Sequence, residues 1–581
     1  MIKELVLVAV VAAPALVFAQ PVGSSPEGGE TATQPGPTPP QASTPDADDA
    51  HVRELVDREL ARILTERGAK EAAAQAAKEA AAKDAVVSKG GEDNLTGDSG
   101  FMDTRLAFTL TDENLLAKPG ETIPSAPGIR FGVPNSLGVL FFDNYDTRFS
   151  GFETLNHAVA YRKFTKGHLE AEGAFVLRIN ELSETNIALS DAGTYITVSN
   201  WKDPTHKDAT RISLTAFPVS SDRLRLGYSY RLSWGGTPEY ARSKSSTPGI
   251  KLQYDNNRMY AFVGAKTGTL VDPTTNELRG HLAGLAGAGV DPTPWLRLEL
   301  NGAYFDRGYL EKDDVKDQHD QLFGASAQVT IHHNMPVRSS VDYKLYKFNN
   351  EKVSSLFSPE TYPGGLSWVA QTEFTAMGQT LKNPDQIGST EVQKAYAGDI
   401  NVRVKWNRLR VRMDLSYRNL AFILHSQPSL PPYVAFPAEY KTKPNLFGAI
   451  GVDKNWADWI TLGVIFGVDR PASLSSPKGV SNLGADANST AVFRSNNIDI
   501  LTSILPTGES TVPEIATKGT LKLDFGRIFS TVLEVFFVHD GNTTTYKRDP
   551  ACADNPDSCN FQYVFGNFNQ LGFNATLQAR F

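Results

Sequence analysis

Over most of this chain the apolar positions recur at every second residue. In "NRLRVRMDLSYRN" (407–419), Arg408, Arg410, Arg412 and Arg418 fall on even positions, with Asp414 and Ser416 between them. Leu409, Val411, Met413, Leu415 and Tyr417 fall on odd ones. A period of two is a β-strand with one charged and one apolar face. The C-terminal "NQLGFNATLQARF" repeats it, with Leu571, Phe573, Ala575, Leu577, Ala579 and Phe581 against Gln570, Asn574, Thr576, Gln578 and Arg580. "DRLRLGYSYRLSW" sets Leu224, Leu226, Tyr228, Tyr230, Leu232 and Trp234 against Arg223, Arg225, Ser229 and Arg231. From 101 to 581, such segments of roughly 9 to 14 residues alternate with turn-like or polar stretches, as in an all-β transmembrane antiparallel barrel.

The pattern before residue 101 is different. Residues 1–19 join Lys3 to an apolar run and place Val17 and Ala19 at the spacing of a signal-peptidase site, which reads as a cleaved secretory signal. Residues 20–50 are rich in Pro, Gly, Ser and Thr and predict a disordered linker. Within 51–88, Val52, Leu55, Val56, Leu60, Ile63 and Leu64 form a stripe at helical spacing, followed by an alanine-rich half. That helix is either a solvated spacer or a short coiled-coil-like seam, because a strict heptad does not persist.

Charge and cysteine usage narrow the classes. The 581 residues carry a formal net charge of -8, so no global basic surface points to nucleic acid. The two cysteines, Cys552 and Cys559 in "CADNPDSC", suit a disulfide in an oxidising compartment more than a metal site. No apolar run past the signal reaches the length of a membrane helix. No catalytic constellation can be placed, His332-His333 falls in an expected short turn, and neither a cofactor nor a metal is expected.

Tryptophans fall at strand ends (Trp234, Trp295, Trp406, Trp456 and Trp459), and the last strand finishes on Phe581. In these features residues 101–581 resemble bacterial outer-membrane porins, whose closing strand ends in an aromatic residue read by the insertion machinery. The resemblance implies a location in the bacterial outer membrane, with the N-terminal helix and short turns in the periplasm and long loops outside. Counting back from Phe581 then gives about 18 spans, or 16 without the first pair. The count takes 222–234 and 337–347 as spans, "PVSS" (218–221) and "HHNMP" (332–336) as short turns, and 348–393 as one external loop able to fold into the pore.

In such a barrel the charged face meets the lumen. Arg223, Arg225, Arg231, Arg403, Lys405, Arg408, Arg410, Arg412 and Arg418 are therefore the expected pore-lining basic residues. They favour anions, against partial cancellation by Asp399, Asp414, Glu170, Glu172, Glu299, Asp342 and Asp524. The functional expectation is a passive porin, a diffusion channel for small polar or anionic solutes. A carbohydrate-selective porin and a structural or adhesion protein anchored by the barrel are the alternatives. The expected partners are outer-membrane lipid, the insertion machinery, a homotrimer and, through the N-terminal helix, the cell wall.

Overall fold

The computed structural model describes residues 96–111, 130–131, 157–182, 187–227, 229, 231–240, 246–334, 365–426, 433–457, 459–480, 483, 485–495, 500–525, 528–548 and 561–580. The signal, the linker, the helical segment 51–88, the span expected at 337–347, Cys552, Cys559 and Phe581 lie outside the described residues.

One antiparallel sheet dominates. Its spans begin with β1 (Thr96–Thr111), β2 (His157–Lys166), β3 (Leu169–Leu182), β4 (Ile187–Asp191 continued by Tyr195–Trp201), β5 (Arg211–Phe217) and β6 (Gly249–Asp255). Next come β7 (Met259–Val271), β8 (Leu278–Thr293), β9 (Leu296–Tyr309), β10 (His319–His333), β11 (Leu366–Lys382) and β12 (Thr390–Trp406). The last are β13 (Leu409–Arg418), β14 (Asn445–Ala457), β15 (Ile460–Arg470), β16 (Glu514–Phe525), β17 (Phe529–His539) and β18 (Asn569–Arg580). The sheet has twenty strands; with the pieces of β4 merged and the two-residue Arg130–Phe131 set aside, eighteen spans remain among the described residues. Each pairs with its neighbours in chain order. β1 pairs with β18 as well as with β2, from Asp103 opposite Arg580 to Thr111 opposite Gly572.

The two faces of this sheet are inverted relative to a water-soluble fold. On β15, Leu462, Val464, Phe466 and Val468 are exposed, while Thr461, Ile465 and Asp469 are buried. On β4 and β5, Ile196, Val198, Ile212 and Leu214 are exposed. Between them the buried hydroxyls pair across the strands, Thr197 with Thr215 at 2.9 Å and Ser199 with Ser213 at 3.0 Å. Continuous apolar rows on an exposed face call for an apolar surface against them, a membrane or a partner, with the polar rows turned away from it.

The two ends differ as well. Trp295, Trp406, Trp456 and Trp459 are exposed at the end where β8–β9, β12–β13 and β14–β15 are joined by tight turns, where an interfacial aromatic belt would lie. Trp234 is only 2% exposed and belongs to no such belt. A longer connection at that end, 202–210, is shaped by Asp203, whose carboxylate accepts from the backbone of Thr205, Lys207 and Asp208. At the opposite end, strands Lys441–Lys443, Ala472–Ser475, Thr490–Ser495 and Ile500–Ile504 form a separate four-stranded sheet. Its core of Leu474, Ala491, Phe493 and Ile504 is shared with helix α1 (Leu420–Leu424).

One expected span and one expected loop are corrected. Residues 222–234 alternate with period two but form no strand of the sheet, and the place in the order is held by β4. Consequently 218–221 is no short turn joining two spans: β5 ends at Phe217 and the next span, β6, begins at Gly249. Residues 366–376, expected within the external loop 348–393, are instead most of β11, paired along its length with β10 and β12. Ser367, Val369, Gln371, Glu373 and Thr375 are its buried face and Phe374 is exposed, the same inversion as elsewhere. His332 and His333 are thus the last residues of β10 rather than part of a short turn, and β10 pairs directly with β11.

If the outer rows sit in hydrocarbon, Val464→Arg should cost about 2–4 kcal/mol where that row crosses mid-bilayer. Val464→Leu should be neutral. Refolding yield into lipid vesicles, read from heat-modifiable gel mobility, compares the two; equal yields would remove this assignment of the outer face.

Candidate functional site: a segment folded across the interior

The described residues between β5 and β6, 218–240 and 246–248 apart from 228 and 230, pack against the polar face of the sheet. The neck of this segment is drawn together by Lys266 on β7, whose Nζ donates to the carbonyl of Ser221 at 2.8 Å and to that of Gly235. Asp222 completes the neck by accepting from the backbone N and Oγ1 of Thr237 (3.1 and 3.0 Å) and from Nη2 of Arg225 (2.6 Å). Burial opposes the charge on Asp222, but Arg225, Arg223 and Lys266 more than offset it and hold the carboxyl below the ordinary carboxylate range.

Beyond the neck the chain makes a narrow hairpin, with Leu226 and Trp234 exchanging backbone hydrogen bonds of 2.8 and 3.1 Å. Gly227 begins the reversal at φ +90°, which L side chains rarely adopt, and a Cβ there would lie 2.7 Å from Oε1 of Glu373. The tip thus approaches the opposite wall closely. Ser229 donates its backbone N–H to Glu373 on β11 at 2.7 Å and its hydroxyl to Asp399 on β12 at 2.7 Å. The Arg231 guanidinium lies over the ring of Phe447 on β14, 3.5 Å from its centroid.

The apolar side of the hairpin explains its alternation. Leu224, Leu226, Leu232 and Trp234 are at most 3% exposed and sit in one core with wall residues such as Tyr195, Phe217, Phe305 and Leu322. Trp234 donates Nε1–H to Ser326 at 3.0 Å. A second inward piece locks against the first. Asn419 caps α1 by accepting from the backbone of Phe422, and His425 after the helix shares a 2.9 Å contact with Glu239. Burial opposes ionisation of Glu239, but His425 and Arg307 pull its pKa down to about 2.

The basic residues expected from the sequence fall into three groups. Arg223, Arg225 and Arg231 are not on the wall but on the infolded segment; the break in β4 at Gly193 leaves the room that the Arg223 side chain fills. Arg408 is exposed in the turn between β12 and β13, so the inward row starts at Arg410. Arg403, Lys405, Arg410, Arg412 and Arg418 do lie on the inward face of the two strands.

There the register arranges charge in bands. Lys405 stands opposite Arg410 and Arg403 opposite Arg412, next to the tight-turn end. One step further Asn401 stands opposite Asp414, then Asp399 opposite Ser416, level with Glu373. Cancellation is local: Arg410 is paired to Asp453 on β14, and Arg418 donates to Asn445 and to the carbonyl of Ser495. Lys518–Glu534 and Lys163–Glu170 pair likewise, at 3.0 and 2.6 Å. Glu172 accepts from Tyr161 and Glu299 from Tyr260.

Sequence reasoning missed Lys266, Asp222, Ser229 and Glu373 as a set. Glu373 was visible as an inward-parity acid once 366–376 is read as a span; the contact of Ser229 with it, 144 residues away in sequence, carried no local signal.

No protein-family model matches the chain, and no curated protein does. Among solved structures, OccAB1 of Acinetobacter baumannii aligns with a TM-score of 0.39 at 9% identity, over 84% of this chain and 98% of that one. OprD of Pseudomonas aeruginosa aligns at 0.36 and 9%, over 83% and 95%. OmpT of Vibrio cholerae, an outer-membrane protein, aligns at 0.30 and 10%, over 84% and 99%. At these scores the likeness is a resemblance only, and the chain's own residues must carry any function.

Lys266→Met keeps most of the stem's volume but leaves the Ser221 and Gly235 carbonyls without this donor, a loss of about 1–3 kcal/mol for buried groups. The sheet should still assemble, while 218–248 becomes more susceptible to limited proteolysis. Cleavage mapped by mass spectrometry checks this; an unchanged rate would show that the neck does not hold the segment.

Proposed function

We propose that the eighteen spans close into a transmembrane barrel and that the protein is an outer-membrane porin, a passive channel for small polar solutes narrowed by 218–248. One observation carries the reading: a sheet polar within and apolar without, whose first and last strands pair, with a charged hairpin tied across its interior. A barrel of this size leaves an aqueous lumen that side chains alone do not fill.

The narrowing element is then 218–248 rather than 348–393. Solutes pass an acidic level at Glu373 and Asp399 and a basic level at Arg403, Arg412 and Lys405, so the preference for anions is weak. Tight turns and the N-terminal helix lie in the periplasm and the four-stranded sheet lies outside. Residues 20–50 tether the helix toward the cell wall, the terminal strand presents Phe581 to the insertion machinery, and the barrels associate as homotrimers. The protein is not an enzyme.

A second reading, a barrel used as an anchor for an external binding surface, draws on the separate core of the four-stranded sheet. Single-channel recording in a planar bilayer separates the two. The porin reading expects stepwise ion conductance, and Arg403→Gln with Arg412→Gln should shift ion preference toward cations, most at low salt. Arg410 is left in place because glutamine there strands Asp453. A folded protein that passes no current would eliminate the channel.

A further inference from the structure

The outward face carries a groove of about 700 Å³ that the channel reading does not use. Two consecutive outward rows of the sheet explain it. One runs Phe374, Gly398, Tyr417, Leu446, Arg470 across β11 to β15; the next runs Thr372, Ile400, Leu415, Gly448, Val468. Glycine interrupts each row at a different strand, so a diagonal trough opens between Phe374, Ile400, Leu415, Tyr417 and Leu446, all more than a third exposed. A Cβ at Gly398 would meet only the Glu373 carbonyl, at an ordinary 3.6 Å, so the space is not required by backbone packing.

The upper end of the trough is cationic. Arg470 lines it at the end of β15 facing the long loops, exposed on a row otherwise made of Leu462, Val464, Phe466 and Val468. Lys394 is exposed on the same face of β12, two rows nearer that end. Neither has an acidic partner among the described residues. An arginine at the edge of an apolar band finds its best partner in a phosphate, which its planar donors can grip in two places. The trough beneath offers apolar walls to a single flexible chain.

We propose that this groove binds an acyl lipid whose headgroup carries phosphate, the chain lying over Gly398 and Gly448 and the phosphate on Arg470. The site rests on the membrane-spanning reading and adds a ligand to its outer face. Charge complementarity selects the lipid over a second copy of the chain, which would bring Arg470 against an apolar surface.

The test uses the full chain in detergent with phosphatidic acid or the phosphate-free diacylglycerol of identical acyl chains, read by native mass spectrometry. Wild type should retain phosphatidic acid about tenfold better, a margin of the size expected for a charge-assisted contact. Arg470→Gln should erase that preference, and Gly398→Leu, which fills the trough, should reduce retention of both lipids. Wild-type gel mobility of both variants shows that the fold is kept. Equal retention of the two lipids by wild type, or undiminished retention of phosphatidic acid by both variants, overturns the proposal. Lipid-free dimers that Gly398→Leu dissociates would give the groove to a second copy and overturn it too. A wild-type chain that retains phosphatidic acid but passes no current keeps this site and removes the channel reading.

Discussion

A surface of Leu, Val, Ile and Phe rows backed by Glu, Arg, Ser and Thr rows cannot be stable in water, and hydrocarbon accepts it only if no main-chain group is left unpaired. Every other feature of the sheet answers to that constraint. The strands pair in chain order so that each ladder is local, and β1 meets β18 so that the first and last strands pair with each other. Charges turn inward, where they find partners on adjacent strands, as Arg410 does in Asp453 and Lys518 in Glu534.

The interior then poses its own problem. Polar walls are satisfied pairwise, but a segment that crosses the space must bring its own neutralising groups. The hairpin does so at both ends. Its neck couples Lys266 and Asp222 to backbone carbonyls and hydroxyls, and its tip hands an N–H and a hydroxyl to two carboxylates. Between them, one side of the hairpin is a conventional apolar core against β2–β10. The segment is thus held like a small domain inside the sheet, more firmly than a loop that merely leans inward.

Much of this architecture was legible in the sequence, because a half-lipid, half-water strand writes its period directly. The runs at 407–419 and 569–580 became β13 and β18 with the faces expected. The failures have one cause: period two reports two-sided burial, and lipid is only one way to obtain it. Residues 222–234 alternate because Leu224, Leu226, Leu232 and Trp234 meet a protein core while Arg225 meets Asp222 and Ser233 and Arg231 covers the ring of Phe447. Residues 366–376 also alternate, yet parity counted from Phe581 leaves no place for them if 337–347 is a span, so they fall into the loop 348–393. Arg223 and Arg408 show the limit for sites, since parity orders side chains on a strand but cannot say whether the strand exists or where its turn begins.

The wall is not of even height. β5 and β6 each run for 7 residues, whereas β11 and β12 run for 17. At about 3.3 Å per residue, that is a contrast between about 23 Å and about 56 Å along the strand, before tilt reduces both. Such a ring cannot suit one hydrocarbon thickness all the way round. If the spans close in a membrane as proposed, on the side of β5 and β6 the bilayer would thin or the barrel would lean, each at a fraction of a kcal/mol per ångström of mismatch. On the membrane-spanning reading proposed above, the molecule would have a preferred tilt and a preferred face toward thinner membrane, set by the lengths of two short strands.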